Sequence, residues 1–404
     1  MEGYLMDNVD YAIIGGGLNG LAAAYRLLEK YPDKIIVVLE KNKYLGEEQS
    51  GRNSGVIHSG YQYDHTTLKG KLCVKANSML KEFAQEHGVP YATVGKMIVA
   101  TNDEEEKRLD FYYQRARAGG VSIDRLTRDE IKKYEPQVEG QAALYTKDTG
   151  VIDAATYVRT LEKLVEQKGG FILTNTPVED VTPRGDGFIL HVNEHGTQYT
   201  FQAEIVINAA GLYADTLARK VNPEFPHIVK ALRGEFAQFK RKSRPEIMTN
   251  ATNIYPVPKP IPGMLDQYGN PKTMAGTHLT PTFEIGSDGQ AKLGNRIIVG
   301  PLAQLVQDKN VYEQGRKPLE AFVADVKPIF PHLRVEDLEL DYAGIQVKIQ
   351  GYDDFVIERD KKYPNFVNVI ADTPGMTSSL AISHYLVNEV LRDGKIENSF
   401  EKVA

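Results

Sequence analysis

Residues Ile13–Gly20 read IIGGGLNG and carry glycines at positions 15, 17 and 20, the spacing GxGxxG. A short apolar run, Val9–Ile14, leads into these glycines, and a segment with helical spacing of apolar residues, Leu18–Lys30, follows them. After Pro32 a second apolar run begins, Ile35–Leu39. Strand, helix and strand in about thirty residues are typical of a βαβ unit. We therefore predict that the fold begins with a Rossmann-like half.

The glycine spacing itself indicates a dinucleotide site. Gly15 permits the tight turn, Gly17 lets backbone amides approach a pyrophosphate, and Gly20 lets the helix pack closely on the strand. The helix N-terminus then offers unpaired N–H groups to the phosphates. Glu40 follows the second strand, where an acidic side chain accepts hydrogen bonds from the adenosine ribose and disfavours NADP. The motif leaves FAD and NAD both open.

Composition narrows the class of protein. The chain has 404 residues, 42% of them hydrophobic and 25% charged, enough to bury a large core, and its net charge of −6 argues against a nucleic-acid binder. Cys73 is the single cysteine, so no intrachain disulfide can form. The sequence has no apparent secretory signal and no apolar run of about 18 residues. We expect a cytoplasmic protein without an integral membrane segment, and peripheral attachment at the inner face of a membrane stays open.

The apolar pattern changes character along the chain, which predicts two interleaved domains. We expect an α/β fold (α+β overall): a Rossmann-like dinucleotide domain assembled from residues 1–88, 146–216 and 341–404, and an inserted mixed-sheet substrate domain from residues 89–145 and 217–340. The proline-rich stretch Tyr255–Gly263 (YPVPKPIPG) is expected to form no regular element.

A second group of motifs identifies a family resemblance. Gln49–Tyr63 reads QSGRNSGVIHSGYQY and Leu68–Cys73 reads LKGKLC. Further motifs follow in order: GKMIVAT (95–101), NAAGLYAD (208–215), RGEF (233–236), IYPVP (254–258), GTHLT (276–280) and PGMTSSL (374–380). Together they resemble the D-amino-acid-oxidase-type superfamily of FAD enzymes, and most of all its L-2-hydroxyglutarate oxidase/dehydrogenase branch.

The resemblance implies FAD as the cofactor and adds residues to its site. Arg52, Asn53 and Ser54 would supply donors, with Gly55 allowing close backbone approach. The turn from Gly375 to Ser379 would present N–H groups to the flavin at a helix N-terminus. The full set of expected FAD-binding residues is Gly15, Gly17, Leu18, Asn19, Gly20, Glu40, Lys41, Arg52, Asn53, Ser54, Gly55, Val178 (beside the adenine), Gly211, Gly344, Gly375, Met376, Thr377 and Ser378.

The resemblance also points to the chemistry of the substrate site. Oxidation of a 2-hydroxy acid needs a base for the hydroxyl proton, for which a neutral histidine is suited. His278, in GTHLT, is the first candidate and His58 the second, although a histidine bonded within a sheet would be an equally ordinary reading of His278. Tyr255 is a candidate donor to the substrate carboxylate, and Tyr61 a further substrate contact.

The substrate carboxylate needs a cation, and here the sequence departs from its relatives. Related chains often carry GxR in a C-terminal strand, whereas this chain reads Gly344-Ile345-Gln346-Val347-Lys348. Gln346 cannot supply a charged fork. Arg233 and Lys348 are therefore the candidate cations, with Gln346 as a neutral contact.

We therefore expect an FAD-dependent oxidoreductase acting on a small anionic 2-hydroxy acid, with L-2-hydroxyglutarate as the lead substrate. The alternatives are an amino acid, secondary amine or glycerol 3-phosphate oxidiser on the same scaffold, a non-catalytic nucleotide-binding module, and an NAD-dependent dehydrogenase. The electron acceptor is oxygen, a quinone or a carrier protein. No metal constellation is present in the sequence, and Cys73 is expected to be a packed side chain.

Overall fold

A computed structural model describes residues 8–240, 244–247, 249–287 and 290–392. The ends of the expected dinucleotide domain, residues 1–7 and 393–404, lie outside the described residues. The strands are β1 Asn8–Ile14, β2 Ile36–Leu39, β3 Val56–Ile57, β4 Tyr91–Thr93, β5 Lys96–Ala100, β6 Asp124–Thr127, β7 Ala142–Thr146, β8 Gly150–Ile152, β9 Phe171–Leu173, β10 Val178–Arg184, β11 Gly187–Glu194, β12 Thr197–Asn208, β13 Val229–Lys240, β14 Asn253–Pro256, β15 Lys259–Leu265, β16 Pro271–Met274, β17 His278–Ile285, β18 Ala291–Val306, β19 Leu338–Ile349, β20 Val356–Arg359 and β21 Phe366–Ile370. The α-helices are α1 Leu18–Lys30, α2 Leu68–His87, α3 Asp103–Ala118, α4 Arg128–Tyr134, α5 Ala154–Gln167, α6 Ala214–Val221, α7 Leu319–Val326 and α8 Gly375–Tyr385.

The first sheet carries the predicted βαβ unit. Its strand order is β10-β11-β12-β1-β2-β9, and β21 pairs with both β12 and β20. β1 runs parallel to both β2 and β12, with Ile14 opposite Leu39 on one side and Asn208 on the other. Three parallel strands therefore end level with one another. Their carboxyl ends form the edge at which ligands bind in open α/β sheets.

The second sheet has eight strands in the order β19-β13-β18-β17-β14-β5-β7-β6. β14 and β5 are parallel, with Tyr255 opposite Ile98, and the other described neighbours are antiparallel. The strands β3, β8 and β4 form a third, small sheet, and along the chain they occur between strands of the two large sheets. The α/β class with a mixed second sheet is as predicted.

Apolar helix faces close the core of the first sheet. α1, α2, α5 and α8 bury leucines, alanines and valines together against β1, β2 and β21. Gly20 belongs to this packing, because a Cβ there would come within 2.0 Å of the Gly15 carbonyl oxygen. A separate core lies between the second sheet and α7. Within the described residues, no helix combines the length and apolar composition needed to cross a membrane.

The structure corrects two expectations about element boundaries. β19 pairs with β13 from Val229–Ile349 to Phe239–Leu338, so residues 341–349, which were expected in the dinucleotide domain, are hydrogen-bonded into the second sheet. The proline-rich stretch is not irregular, because β14 and β15 both run through it. Pro256 is the last paired residue of β14, and β15 pairs only with β16 in a two-stranded ribbon with a shifted register. Prolines are tolerated at such ends and edges, since no ladder donor is required there.

Candidate active site

A cavity of about 920 Å³ runs from the carboxyl edge of the first sheet to the face of the second. Most of the residues expected to bind the cofactor line it: Gly15, Gly17, Leu18, Asn19, Glu40, Lys41, Arg52, Asn53, Ser54, Val178, Gly211, Gly344, Gly375, Met376 and Thr377. The proposed acid–base and carboxylate contacts His58, His278, Tyr255, Gln346 and Lys348 line the same cavity. Gly15, Glu40 and Val178 lie on or directly after strands of the first sheet, whereas Tyr255, His278, Gln346 and Lys348 lie on strands of the second, so the cavity lies between the two sheets.

The glycine loop has the shape of a phosphate cradle. Gly15 has φ of +114°, and a Cβ there would lie 2.4 Å from the Ala209 carbonyl oxygen. The first turn of α1 has no acidic residue and no side-chain cap, so its end keeps a positive partial charge. Ser50 Oγ accepts a hydrogen bond from one amide of this turn, that of Leu18, at 2.9 Å. Asn19 contributes a buried Oδ1 that has no hydrogen-bond partner in the described part of the chain, an orphaned polar atom that a ligand hydroxyl could satisfy.

Glu40 is held where the ribose-binding acid was predicted. Its Oε2 accepts from the Gly16 amide and its Oε1 from the Asn42 amide, both at 2.8 Å. Burial raises the pKa of the Glu40 carboxyl, and these two backbone donors oppose that effect. The carboxylate is therefore fixed in direction and still lines the cavity, with lone pairs left to accept further hydrogen bonds.

The polar side chains of residues 49–55 hold the loop in shape as well as lining the cavity. Asn53 donates to the Gln49 and Ser50 carbonyls and accepts from the Gly55 amide. Arg52 donates to the Ala343 carbonyl at 3.1 Å and to that of Glu47. The Asn53 side chain thus makes its hydrogen bonds within the loop, and Arg52 links the loop to β19.

Three of the expected cofactor residues lie outside the cavity lining. Gly20 acts through helix packing, as its place in the motif predicts. Gly55 has φ of +68°, and a Cβ there would lie 2.6 Å from the Ile152 carbonyl oxygen, so it serves the contact with β8. The Ser378 amide donates to Pro374 within α8. Gly55 and Ser378, which were expected to contact the cofactor directly, therefore lie behind the cavity lining.

Two aromatic rings stack where the second sheet lines the cavity. The Tyr255 and His278 rings stack with centroids 3.7 Å apart and planes at 13°, because β14 and β17 are neighbours in the second sheet. His278 Nδ1 lies 2.8 Å from the Gly276 carbonyl oxygen. A carbonyl only accepts, so Nδ1 carries the hydrogen and Nε2 keeps its lone pair. Nε2 is buried and has no partner among the described residues.

Burial keeps both histidines of the site neutral. It lowers the pKa of His278 to about 3, with the nearby Lys96 charge adding to the effect and the Gly276 hydrogen bond opposing it. Burial also lowers the pKa of His58 well below its usual value. The His58 backbone is anchored by Thr377 and Asn77, which fixes the point from which its ring enters the cavity.

Lys96 is a functional candidate that the sequence reading missed. It is 1% exposed, and its Nζ has no hydrogen-bond partner among the described residues. The ammonium lies 3.4 Å from the centroid of the Tyr255 ring. His278 is also within 4 Å of that centroid, so the two must occupy opposite faces of the ring. A lysine opening the wholly buried strand Lys96–Ala100 was the signal that could have revealed it.

The candidate substrate contacts separate into two groups. Lys348 and Gln346 line the cavity, as expected. Arg233 does not: it is 1% exposed, and its guanidinium contacts Glu235 at 2.5 Å and the Gln314 carbonyl at 2.6 Å. Tyr61 also lies behind the lining, edge-on to Tyr112. Arg233 and Tyr61, which were expected to contact the substrate, therefore lie outside the described lining of the cavity. Among the described residues, no group of three or more His, Cys, Asp or Glu side chains could hold a metal ion.

Comparison with known proteins gives consistent matches over nearly the whole chain. Residues 10–389 match the family described as FAD dependent oxidoreductase. The chain is 31% identical to the mitochondrial L-2-hydroxyglutarate dehydrogenase of Caenorhabditis elegans, over 96% of this chain and 94% of the relative. It is 32% identical to the corresponding Bos taurus protein, over 96% and 89%. It is 27% identical to the L-2-hydroxyglutarate dehydrogenase of Escherichia coli K12, over 94% and 93%.

Solved structures share the fold. An L-α-glycerophosphate oxidase from Mycoplasma pneumoniae, reduced and with FAD bound, superimposes with a TM-score of 0.80 at 26% identity, covering 96% of each chain. A glycine oxidase from Geobacillus kaustophilus superimposes with a TM-score of 0.77 at 18% identity, covering 97% of this chain and 96% of the other. The fold is therefore shared with proteins named for different oxidations.

Proposed function

The chain belongs to the FAD-dependent oxidoreductase family, and from this membership we propose that it oxidises a small anionic 2-hydroxy acid, with L-2-hydroxyglutarate, giving 2-oxoglutarate, as the lead substrate. FAD is its cofactor, as the family resemblance implied. The orphaned Asn19 Oδ1, the cradle at Gly15 and the anchored Glu40 fit a dinucleotide of this kind. Relatives at about 30% identity over almost the full length support the substrate.

One observation carries the proposal: a neutral imidazole in the cavity lining whose Nε2 lone pair has no partner among the described residues. The hydrogen on Nδ1 is held by Gly276, so His278 Nε2 can accept only. A hydroxyl oxidation needs this acceptor for the proton of the substrate oxygen. In the proposed reaction that proton moves to His278 as the carbon–oxygen double bond forms.

FAD, when bound, supplies the two-electron acceptor for the hydride that leaves the carbon bearing the hydroxyl. The protein supplies orientation. The Tyr255 phenol and the Gln346 amide both line the cavity, and Gln346 Oε1 already interacts with Thr373 at 3.2 Å, which leaves its NH₂ group to donate. We propose that these two donors hold the carboxylate next to the reacting carbon.

The low pKa of His278 is compatible with a base because the substrate changes its surroundings. The free site disfavours the imidazolium through burial and through Lys96. A bound carboxylate brings a negative charge within a few ångströms, and opposite charges at that distance favour the protonated form. His278 therefore gains basicity when the anionic substrate is present.

Glycerol 3-phosphate is a second candidate substrate. It too is a small anion with an oxidisable hydroxyl, and the glycerophosphate oxidase with a TM-score of 0.80 is 26% identical to this chain. Matches to amine-oxidising structures are below 20% identity and support the fold alone.

The base assignment is tested by flavin reduction in single-turnover mixing without oxygen. We expect His278→Ala to keep its flavin and to be reduced by L-2-hydroxyglutarate about 10²–10⁴-fold more slowly, the range typical of a lost general base. His191→Ala, on the exposed side of β11, is the matched control. Normal kinetics in His278→Ala together with slow kinetics in His58→Ala would transfer the role to His58.

A further inference from the structure

Three buried lysines surround one buried aspartate at a part of the cavity that the proposed reaction leaves unused. Asp372 Oδ1 lies 2.7 Å from Lys69 Nζ, and its Oδ2 lies 3.1 Å from Lys348 Nζ. Lys272 and Lys69 share Asp353 Oδ1 at 3.3 and 3.0 Å. All five residues line the cavity. We call them the lysine cluster.

The cluster is built into rigid elements from separate parts of the chain. Lys69 is in the first turn of α2, whose leading amides donate to Asp354. Lys272 on β16 donates to the Ile349 and Tyr352 carbonyls at 3.2 and 2.7 Å. Lys348 is on β19. The three ammonium groups are therefore fixed in place by the fold.

The charges in the cluster do not balance. Three lysines face two carboxylates, and Asp353 is half exposed while Asp372 is fully buried. Burial alone would raise the pKa of Asp372, but Lys348, Lys69 and Lys272 hold it well below its usual value. Burial lowers the pKa of Lys272, and the like charges of Lys348 and Lys69 lower it further. The charges of Asp372 and Asp353 oppose this shift. Each lysine contacts a carboxylate, but the five residues together carry a net charge of +1, which is costly in a buried site.

Lys348 has the donors to meet an anion. Among the described residues, Asp372 is the only hydrogen-bond acceptor at its Nζ, so two of its three N–H groups are unused. Gln346 is two residues earlier on β19, and alternate residues of a strand face the same side about 7 Å apart. Four carbon–carbon bonds separate the two carboxyl carbons of a five-carbon diacid, about 5 Å end to end. The spacing suits one carboxylate at Gln346 and the other at Lys348.

We propose that the lysine cluster is the subsite for the second, distal carboxylate of a 2-hydroxydicarboxylic acid, with Lys348 as its direct contact. This inference rests on the proposed function and names the structural feature that would select diacids over monoacids. A single carboxylate neutralises the net charge of +1 on the cluster, whereas a phosphate dianion would leave the site with a net negative charge. The cluster therefore favours the diacid over glycerol 3-phosphate.

The test compares two substrates of equal chain length, L-2-hydroxyglutarate and L-2-hydroxypentanoate, which lacks the distal carboxylate. In Lys348→Met we expect the ratio of kcat/KM for the diacid to that for the monoacid to fall by about 10- to 100-fold, the range for one hydrogen bond to a charged group. Lys71→Met, on the exposed face of α2, is the matched control and should keep the ratio. Glutarate, an unreactive diacid, should perturb the flavin absorbance of the unaltered protein at lower concentration than pentanoate, and Lys348→Met should remove that difference.

The outcomes separate the two proposals. If neither 2-hydroxy acid reduces the flavin of the unaltered protein, the proposed function fails. If both reduce it and Lys348→Met slows both equally, the function stands and the subsite is overturned. If Lys348→Met selectively loses the oxidation of glycerol 3-phosphate, the carboxylate subsite is also overturned, and the cluster is a phosphate site instead. Should Lys348→Met purify without flavin, Lys348→Gln replaces it in both measurements.

Discussion

Replacing Lys96 with methionine is expected to make the protein more stable at neutral pH. Lys96 is 1% exposed, and its ammonium has no hydrogen-bond partner among the described residues. The groups around it are the Tyr61 and Tyr255 rings and the buried Cys73, none of which carries a negative charge at pH 7. Methionine has a similar length and no charge to desolvate.

The magnitude follows from the pKa of the lysine and from its ring contact. Burial lowers the pKa of Lys96 from 10.5 to about 7. At about 1.4 kcal/mol per unit, such a difference between folded and unfolded states destabilises the folded protein by about 5 kcal/mol. The contact with Tyr255 returns about 2 kcal/mol, the value for a desolvated cation–π pair. The net gain of about 3 kcal/mol corresponds to a rise in Tm of about 3 °C for a chain of this size.

The pH dependence has a definite sign. The folded-state pKa is below the unfolded one, so between pH 7 and 10.5 the unfolded chain binds more protons and the stability of the unaltered protein rises with pH. The advantage of Lys96→Met is therefore largest below pH 7 and disappears towards pH 10.5. Thermal unfolding of the holoenzyme at pH 6 to 10, with the exposed Lys75→Met as control, measures the difference. A variant that is less stable at pH 7, with a constant difference across that range, would refute the reasoning.

Three further predictions concern the cofactor, the core and the base. Glu40→Gln turns an NH₂ group towards backbone donors, so we expect FAD to bind about 10- to 100-fold more weakly, measured by flavin fluorescence titration. Arg233→Met removes the closer of two charges paired with Glu235, which is 0% exposed and keeps Arg316 at 3.7 Å, so the free energy of unfolding should fall by about 3 kcal/mol while bound flavin is still reduced by substrate; an unchanged denaturant midpoint would contradict the structural role. Because burial lowers the pKa of His278 to about 3, its ring should stay neutral from pH 8 down to pH 5 in the free enzyme, which nitrogen NMR of histidine-labelled protein can follow; protonation near pH 6.5 would count against it.

The cofactor half of the site was predictable because its signals are local. Gly15, Gly17 and Glu40 lie within one βαβ unit, and the parallel register of β1 and β2 brings them to the same edge. Their spacing along the chain therefore fixes their spacing in space. The substrate half was predicted only through family motifs, since His278 and Tyr255 meet by the pairing of β14 with β17, which no periodicity reveals.

The positions of Arg233 and of the lysine cluster were not predictable from the sequence for a related reason. Arg233 and Glu235 alternate on β13, and residues two apart on a strand share a face, so their pairing was available from the sequence but the burial of that face was not. The lysine cluster draws on residues near positions 69, 272 and 348, which come together only through the packing of α2 and β16 beside β19. Long-range packing of this kind leaves no local pattern.

Anaerobic titration of the purified protein with L-2-hydroxyglutarate, followed by visible absorbance, tests the account most directly. We expect a yellow protein whose flavin bands bleach stoichiometrically with the L-acid and far more slowly with its D-enantiomer. A protein whose bound flavin is bleached by amines but by no 2-hydroxy acid would contradict the account.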